Sequence, residues 1–151
     1  MIQRKIAVVL ASILLLTSCA AKEPEPLSTL SQYESQELKW RDCYGNYQCS
    51  SLLVPIDYAD LSVGAFSLAL LRYKALDQDR RIGSLVVNPG GPGASGVDYA
   101  YNAEYIVSPE ILERFDIVGF DPRGVGDSAA IKCLSDAETD ASFAADPKPD
   151  D

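Results

Sequence analysis

An α/β fold, with a mostly parallel sheet flanked by helices, is what this sequence predicts. Short apolar runs of strand length alternate with stretches whose apolar residues recur at helical spacing. Two glycine-rich turns, residues 88–96 and 122–128, each follow directly on an apolar run, where sites in such sheets lie. A content of 47% apolar and 23% charged residues over 151 positions suits one globular domain.

The chain opens with Arg4 and Lys5, then an apolar run over residues 6–16 that closes on Leu16-Thr17-Ser18-Cys19. The run is shorter than the roughly 20 residues of a spanning helix and has the layout of a signal peptide. The small residues before Cys19 resemble a bacterial lipobox, in which the cysteine takes a diacylglyceryl group and becomes the mature N-terminus. Residues 1–18 are therefore expected to be a lipoprotein signal peptide and Cys19 the lipidated residue. The alternative is an ordinary secretory signal with Cys19 near the cut, and either reading exports the protein. Acyl chains contribute about 0.8 kcal/mol per buried CH₂, so a multiply acylated Cys19 would anchor the protein on the extracytoplasmic side of the membrane. Residues 19–39, polar and carrying Pro24 and Pro26, are expected to form a flexible tether.

With Cys19 lipidated, Cys43, Cys49 and Cys133 remain of the four cysteines. An oxidising compartment favours pairing. Cys43 and Cys49 bracket a short loop whose closure contributes about 2 kcal/mol in the chain-entropy model, so a local staple is expected there in preference to a redox or metal site. Cys133 is left without a partner.

The domain is placed at residues 40–135. Residues 52–56 read as an edge strand because Pro55 cannot donate to a ladder. Phe66, Leu68 and Leu70 alternate with Ser67, Ala69 and Leu71, and the pattern runs on to Tyr73 as a largely buried strand. Leu85-Val86-Val87 is a short strand stopped by the first glycine-rich turn, after which Val97, Ala100, Tyr101 and Tyr105 fall at helical spacing. Ser108-Pro109-Glu110 starts a second helix, with Ser108 as N-cap and Pro109 at the first helical position. Residues 115–121 form a buried strand that empties into the second turn. The acidic stretch at residues 136–151, with Pro147 and Pro149 and no apolar periodicity, is expected to be an irregular tail.

Two totals narrow the chemistry. A net charge of −9 repels polyanions and leaves no basic stripe, which argues against nucleic acid as a partner. The count of histidines is zero, so the usual general base of serine hydrolases is missing from these 151 residues.

The first turn, Asn88-Pro89-Gly90-Gly91-Pro92-Gly93-Ala94-Ser95-Gly96, leaves backbone N–H groups uncovered by side chains at the start of a helix. Such a turn can hold an anion or a developing oxyanion; the plain alternative is a tight connection that needs positive φ. Neither nucleotide-binding glycine pattern is met, which weakens a phosphate reading.

This turn resembles the oxyanion turn of the prolyl and tripeptidyl aminopeptidase branch of the α/β-hydrolases. Residues 115–128 resemble the next strand and loop of that family, and residues 40–57, with Cys43, Cys49 and Val54-Pro55-Ile56-Asp57, are similar to the opening segment of its secreted tripeptidyl members. The resemblance implies the N-terminal part of an α/β-hydrolase fold, ending before the nucleophile elbow. It implies a serine peptidase, an aminopeptidase of the proline or tripeptidyl type that releases short peptides from substrate N-termini through an acyl-enzyme, with no metal or organic cofactor. Gly91, with Gly90 beside it, would supply one oxyanion donor. An esterase or lipase type of hydrolase, or a truncated lipoprotein without catalysis, are the alternatives. Oligomeric state is not legible.

Two serines imitate a nucleophile. Ser95 in Gly93-Ala94-Ser95-Gly96-Val97 has valine where the elbow's last glycine belongs, and Ser128 in Gly126-Asp127-Ser128 would need a histidine that is not in the chain. Both are expected to be turn residues, and Asp121 and Arg123 are expected to shape the second loop without acting in catalysis.

Overall fold

The structure, a computed structural model, describes residues 24–145. The predicted signal peptide, Cys19, the start of the tether and the end of the tail lie outside the described residues. A short helix α1 (Leu30–Glu34) precedes strands β1 (Arg41–Asp42), β2 (Tyr47–Pro55), β3 (Ala65–Tyr73) and β4 (Gly83–Val86). Helices α2 (Gly96–Tyr101), α3 (Ala103–Ile106) and α4 (Pro109–Arg114) lead to β5 (Phe115–Phe120), and α5 (Asp136–Ala144) closes the described chain.

The five strands form one sheet in the order β1-β2-β3-β5-β4. The α/β class holds, but the sheet is mixed and not mostly parallel. Only β4 and β5 run parallel; β1 with β2, β2 with β3 and β3 with β5 are antiparallel. For β1 with β2, β2 with β3, and β4 with β5 the connection length fits the direction; β3 and β5 are antiparallel despite the long stretch between them. A parallel neighbour needs a crossover of a dozen or more residues, which residues 87–114 provide, whereas the loops within residues 41–65 are too short for one.

β2 starts earlier than the apolar run suggested, because residues 47–55 pair along β3 from Tyr47↔Tyr73 to Pro55↔Ala65. β1 covers only its first part, through Arg41↔Cys49 and Asp42↔Gln48, so the half of β2 holding Pro55 is an edge as expected. Cys43 and Cys49 are disulfide-bonded across this hairpin, and Cys133 is free and exposed.

One face of the sheet carries the helices. Tyr73, Ala103, Leu112 and Ile117 form its core, with Val87, Val107, Ile111 and Phe115 packed around them. Gly96 and Gly119 allow α2 to lie directly on β5: a Cβ on Gly119 would stand 1.9 Å from the Gly96 carbonyl oxygen. The predicted single helix over Val97 to Tyr105 is broken at Asn102, and Tyr105 faces solvent. Ser108 occupies the N-cap position of α4 without bonding a helix N–H. Its hydroxyl is engaged by Glu110, which is held below the usual carboxylate range by that bond.

The opposite face is lined by Leu52, Leu68, Leu70, Val86, Val118 and Phe120, which border a cavity of about 410 Å³ together with Leu38 and Trp40. β4 is the outer strand there, with Val86 62% exposed.

Two stretches read as irregular carry structure. Within the predicted tether, α1 has a capping box between Thr29 and Gln32, Tyr33 is buried, and the Gln36 side chain bonds both the N–H and the C=O of Leu53. Backbone groups at the bare edge of β2 are thereby satisfied, which docks a polar segment that has little apolar pattern. In the predicted tail, a capping box between Ser135 and Glu138 starts α5, none of whose residues is buried. That helix rests on local capping alone, and its composition gave no periodicity to find.

Candidate functional site

The two glycine-rich turns meet at the end of β5. The first is pinned at its start where Val87 N–H donates to Val118 C=O at 2.9 Å, continuing the β4–β5 ladder past Val86. Gly90, Gly91 and Gly93 have φ of +84°, +139° and +86°, and the Gly91-Pro92 peptide is cis. A Cβ on Gly91 would come within 2.7 Å of the Gly93 nitrogen, so both conformation and space require glycine there.

The two predicted donors differ. Gly90 N–H donates to Asn88 Oδ1 at 2.9 Å in an Asx turn. Gly91 N–H makes no hydrogen bond among the described residues and lies at the surface. An open N–H on a backbone restricted by Pro89 and Pro92 is what an oxyanion donor needs, because it costs no reorganisation when charge develops.

The turn ends at Ser95, the N-cap of α2. Its Oγ accepts from Asp98 N–H at 2.9 Å and donates to Asp121 Oδ1 at 2.5 Å. Asp121 is 2% exposed. Oδ1 also accepts from Val97 N–H at 3.1 Å, and Oδ2 accepts from Asp127 N–H at 2.9 Å. One buried carboxylate thus holds the end of the first turn and the middle of the second.

In the second turn the side chains of Ser128 and Arg123 and several backbone N–H groups are engaged. Ser128 is 0% exposed, and its Oγ accepts from Ala69 N–H at 2.8 Å. Gly124 N–H donates to Ser128 C=O and Ser128 N–H to Val125 C=O. Arg123 donates to Pro55 C=O at 2.7 Å and its guanidinium lies over Tyr58 and Phe66. Ser95 and Ser128 therefore have structural partners, and Asp121 and Arg123 shape the loop.

The disulfide hairpin buttresses the helix behind the first turn. Tyr47 stacks on Tyr101 at 4.9 Å and donates to the Tyr101 carbonyl, and Tyr44 meets the Tyr101 ring edge-on. Tyr73 donates to Glu104 at 2.8 Å; burial, reinforced by that bond, pushes its phenol up to about 12. A cleft of about 550 Å³ lies between hairpin and helix, lined by Arg41, Tyr44, Ser67, Asp98, Tyr101 and Asp127.

Sequence reasoning brought Gly90 and Gly91 to one turn and paired Cys43 with Cys49. It missed the Ser95–Asp121 link and the contact of Gly96 with Gly119. The spacing of Ser95 and Asp98 is a cap signature that would have marked Ser95 as a helix start. Nothing local pointed across residues 95–121.

No family model matches the chain. It is 43% identical over 115 residues to the serine protease Hip1 of Mycobacterium tuberculosis, covering 70% of this chain and 22% of that protein. It is 49% identical over 105 residues to carboxylesterase B of the same species, covering 68% and 20%. It is 36% identical over 121 residues to the tripeptidyl aminopeptidase of Streptomyces coelicolor, covering 74% and 22%. The chain spans about a fifth of the length of the curated relatives it matches.

Proposed function

We infer, from a chain related by sequence to serine hydrolases, that these residues build the oxyanion side of an exported serine peptidase of the α/β-hydrolase type. The observation that carries this reading is the open Gly91 N–H at a strand-to-helix turn, in a segment shared with a serine protease and a tripeptidyl aminopeptidase. In the whole enzyme a serine on a G-x-S-x-G elbow attacks the peptide carbonyl and a histidine takes its proton. The carbonyl oxygen, now negative, accepts from Gly91 N–H and from the N–H after the nucleophile. The substrates are peptides from which short N-terminal pieces are released.

These 151 residues contain no histidine and no G-x-S-x-G sequence, so they do not turn over substrate alone. Among the described residues no helix is long and apolar enough to cross a membrane, and attachment through lipid on Cys19 supplies the membrane contact in this reading.

The test has two parts. The DNA after codon 151 is translated in all three frames and searched for G-x-S-x-G followed by Asp and His; the product containing them should label with a fluorophosphonate probe, and the 151-residue chain should not. Labelling of the short chain that is lost in Ser95→Ala or Ser128→Ala would overturn the reading. An esterase is the second reading, favoured by the 49% identity to carboxylesterase B; turnover of short-chain esters without cleavage of tripeptide amides would establish it. Absence of the motifs in every frame would leave a lipoprotein without catalysis. Metabolic labelling with a lipid analogue should mark the wild type and not Cys19→Ser.

A further inference from the structure

We propose that Ser95 and Asp121 are positioning residues that set the direction of the Gly91 N–H; this deepens the hydrolase reading and rests on it. The first turn spans two pins. At its start Val87 N–H is fixed to the β5 backbone at Val118, and at its end Ser95 Oγ is fixed to Asp121, the residue that follows β5. The pins stand on β5 and on the residue directly after it, so the loop between them has its two ends held on adjoining backbone. Within it, Pro89 and Pro92 restrict φ, and Asn88 holds Gly90. The orientation of Gly91 then depends on where Ser95 is held.

Asp121 suits that task. Its carboxylate is 2% exposed and receives three donors, Ser95 O–H, Val97 N–H and Asp127 N–H. No ion pair reaches it among the described residues, and its oxygens are satisfied by these three neutral donors alone. The second turn is moulded around it: a Cβ on Gly126 would stand 2.1 Å from Oδ2. Ser95 adds a second bond by capping α2 through Asp98 N–H, so one hydroxyl joins turn, helix and carboxylate.

The test uses two readouts. In the 151-residue chain, ¹⁵N relaxation should show Gly91 and Gly93 as rigid backbone, with an order parameter of about 0.85, falling below about 0.6 in Ser95→Ala and in Asp121→Asn. Ser95→Thr keeps the hydroxyl and should restore rigidity, which also guards against general unfolding as the cause. In the hydrolytically active product, kcat for Ser95→Ala should drop roughly 10²-fold with KM unchanged, the scale of a 1 Å misplacement at a catalytic group. Unchanged order parameters at Gly91 and Gly93 in Ser95→Ala, or equal loss in Ser95→Thr, would overturn the link. So would a raised KM with kcat intact. If the wild-type product shows no turnover, the hydrolase reading fails and the relaxation experiment still decides the link.

Discussion

The two glycine-rich turns are alike in composition and opposite in hydrogen bonding. Residues 122–128 tie most of their polar groups internally: Ser128, the Arg123 guanidinium, Asp127 N–H and Gly124 N–H all have protein partners, and the Gly126 N–H is without one among the described residues. Residues 88–96 keep Gly91 N–H open while Asn88, Ser95 and Asp121 fix the backbone around it. A glycine-rich turn after a strand is therefore not in itself a site. What distinguishes the first is an open Gly91 N–H in a segment tied at both ends, at Val87 and at Ser95, while the second folds around the Asp121 carboxylate.

The largest effect is expected where both turns share a support. Gly119→Ala places a Cβ 1.9 Å from the Gly96 carbonyl oxygen, backbone against side chain with no flexible end to yield. It should cost about 3 kcal/mol of unfolding free energy by overpacking, and chemical denaturation should show it. An unchanged midpoint would mean that α2 does not press on β5 as described.

Ser128→Ala separates the turns. It removes the acceptor of the Ala69 N–H at a site that is 0% exposed, leaving that donor unsatisfied. A loss of about 1–3 kcal/mol is expected, with order at Gly91 retained. Equal loosening of both turns would show that they are one unit.

In the first turn, Gly90→Ala should cost only about 1 kcal/mol. The position has φ of +84° but open space around a Cβ, so strain is conformational and not steric. A destabilisation as large as that of Gly119→Ala would break the contrast between a packed support and an open turn.

A further effect is an alkaline pH dependence carried by Tyr73, beneath the helix behind the first turn; residues 122–128 contain no tyrosine. Burial raises the Tyr73 phenol from 10.0 to about 12, so the protonated form is favoured in the folded state. Its contribution is present in full below pH 10.0 and is lost as pH rises through about 12. Unfolding free energy should fall over that window, and the fall should be shallower in Tyr73→Phe. Identical slopes would show that Tyr73 ionises without opposing burial.

Much of the element list is legible in residue order. The alternation over Phe66 to Tyr73, the run before Asp121 and the proline at the edge of β2 are local patterns, and each became the strand expected. The irregular segments are the instructive failures. Residues 30–34 and 136–144 are helical through reciprocal side-chain caps, which leave no apolar periodicity to read. The break at Asn102 divides a run of residues that spacing alone would make one helix.

The sequence by itself determined the α/β class, the two turns, the hairpin cysteines and the absence of a histidine, because each is a matter of residue type and short spacing. Strand direction, the bare face beside β4, the commitment of Gly90 against the freedom of Gly91, and the tie from Ser95 to Asp121 were decided only in three dimensions. Direction depends on which strands become neighbours, and a donor is open or spent according to groups tens of residues away, as Ala69 N–H is by Ser128. Asp121 is one carboxylate among 22 acidic residues until the fold closes Ser95, Val97 and Asp127 around it.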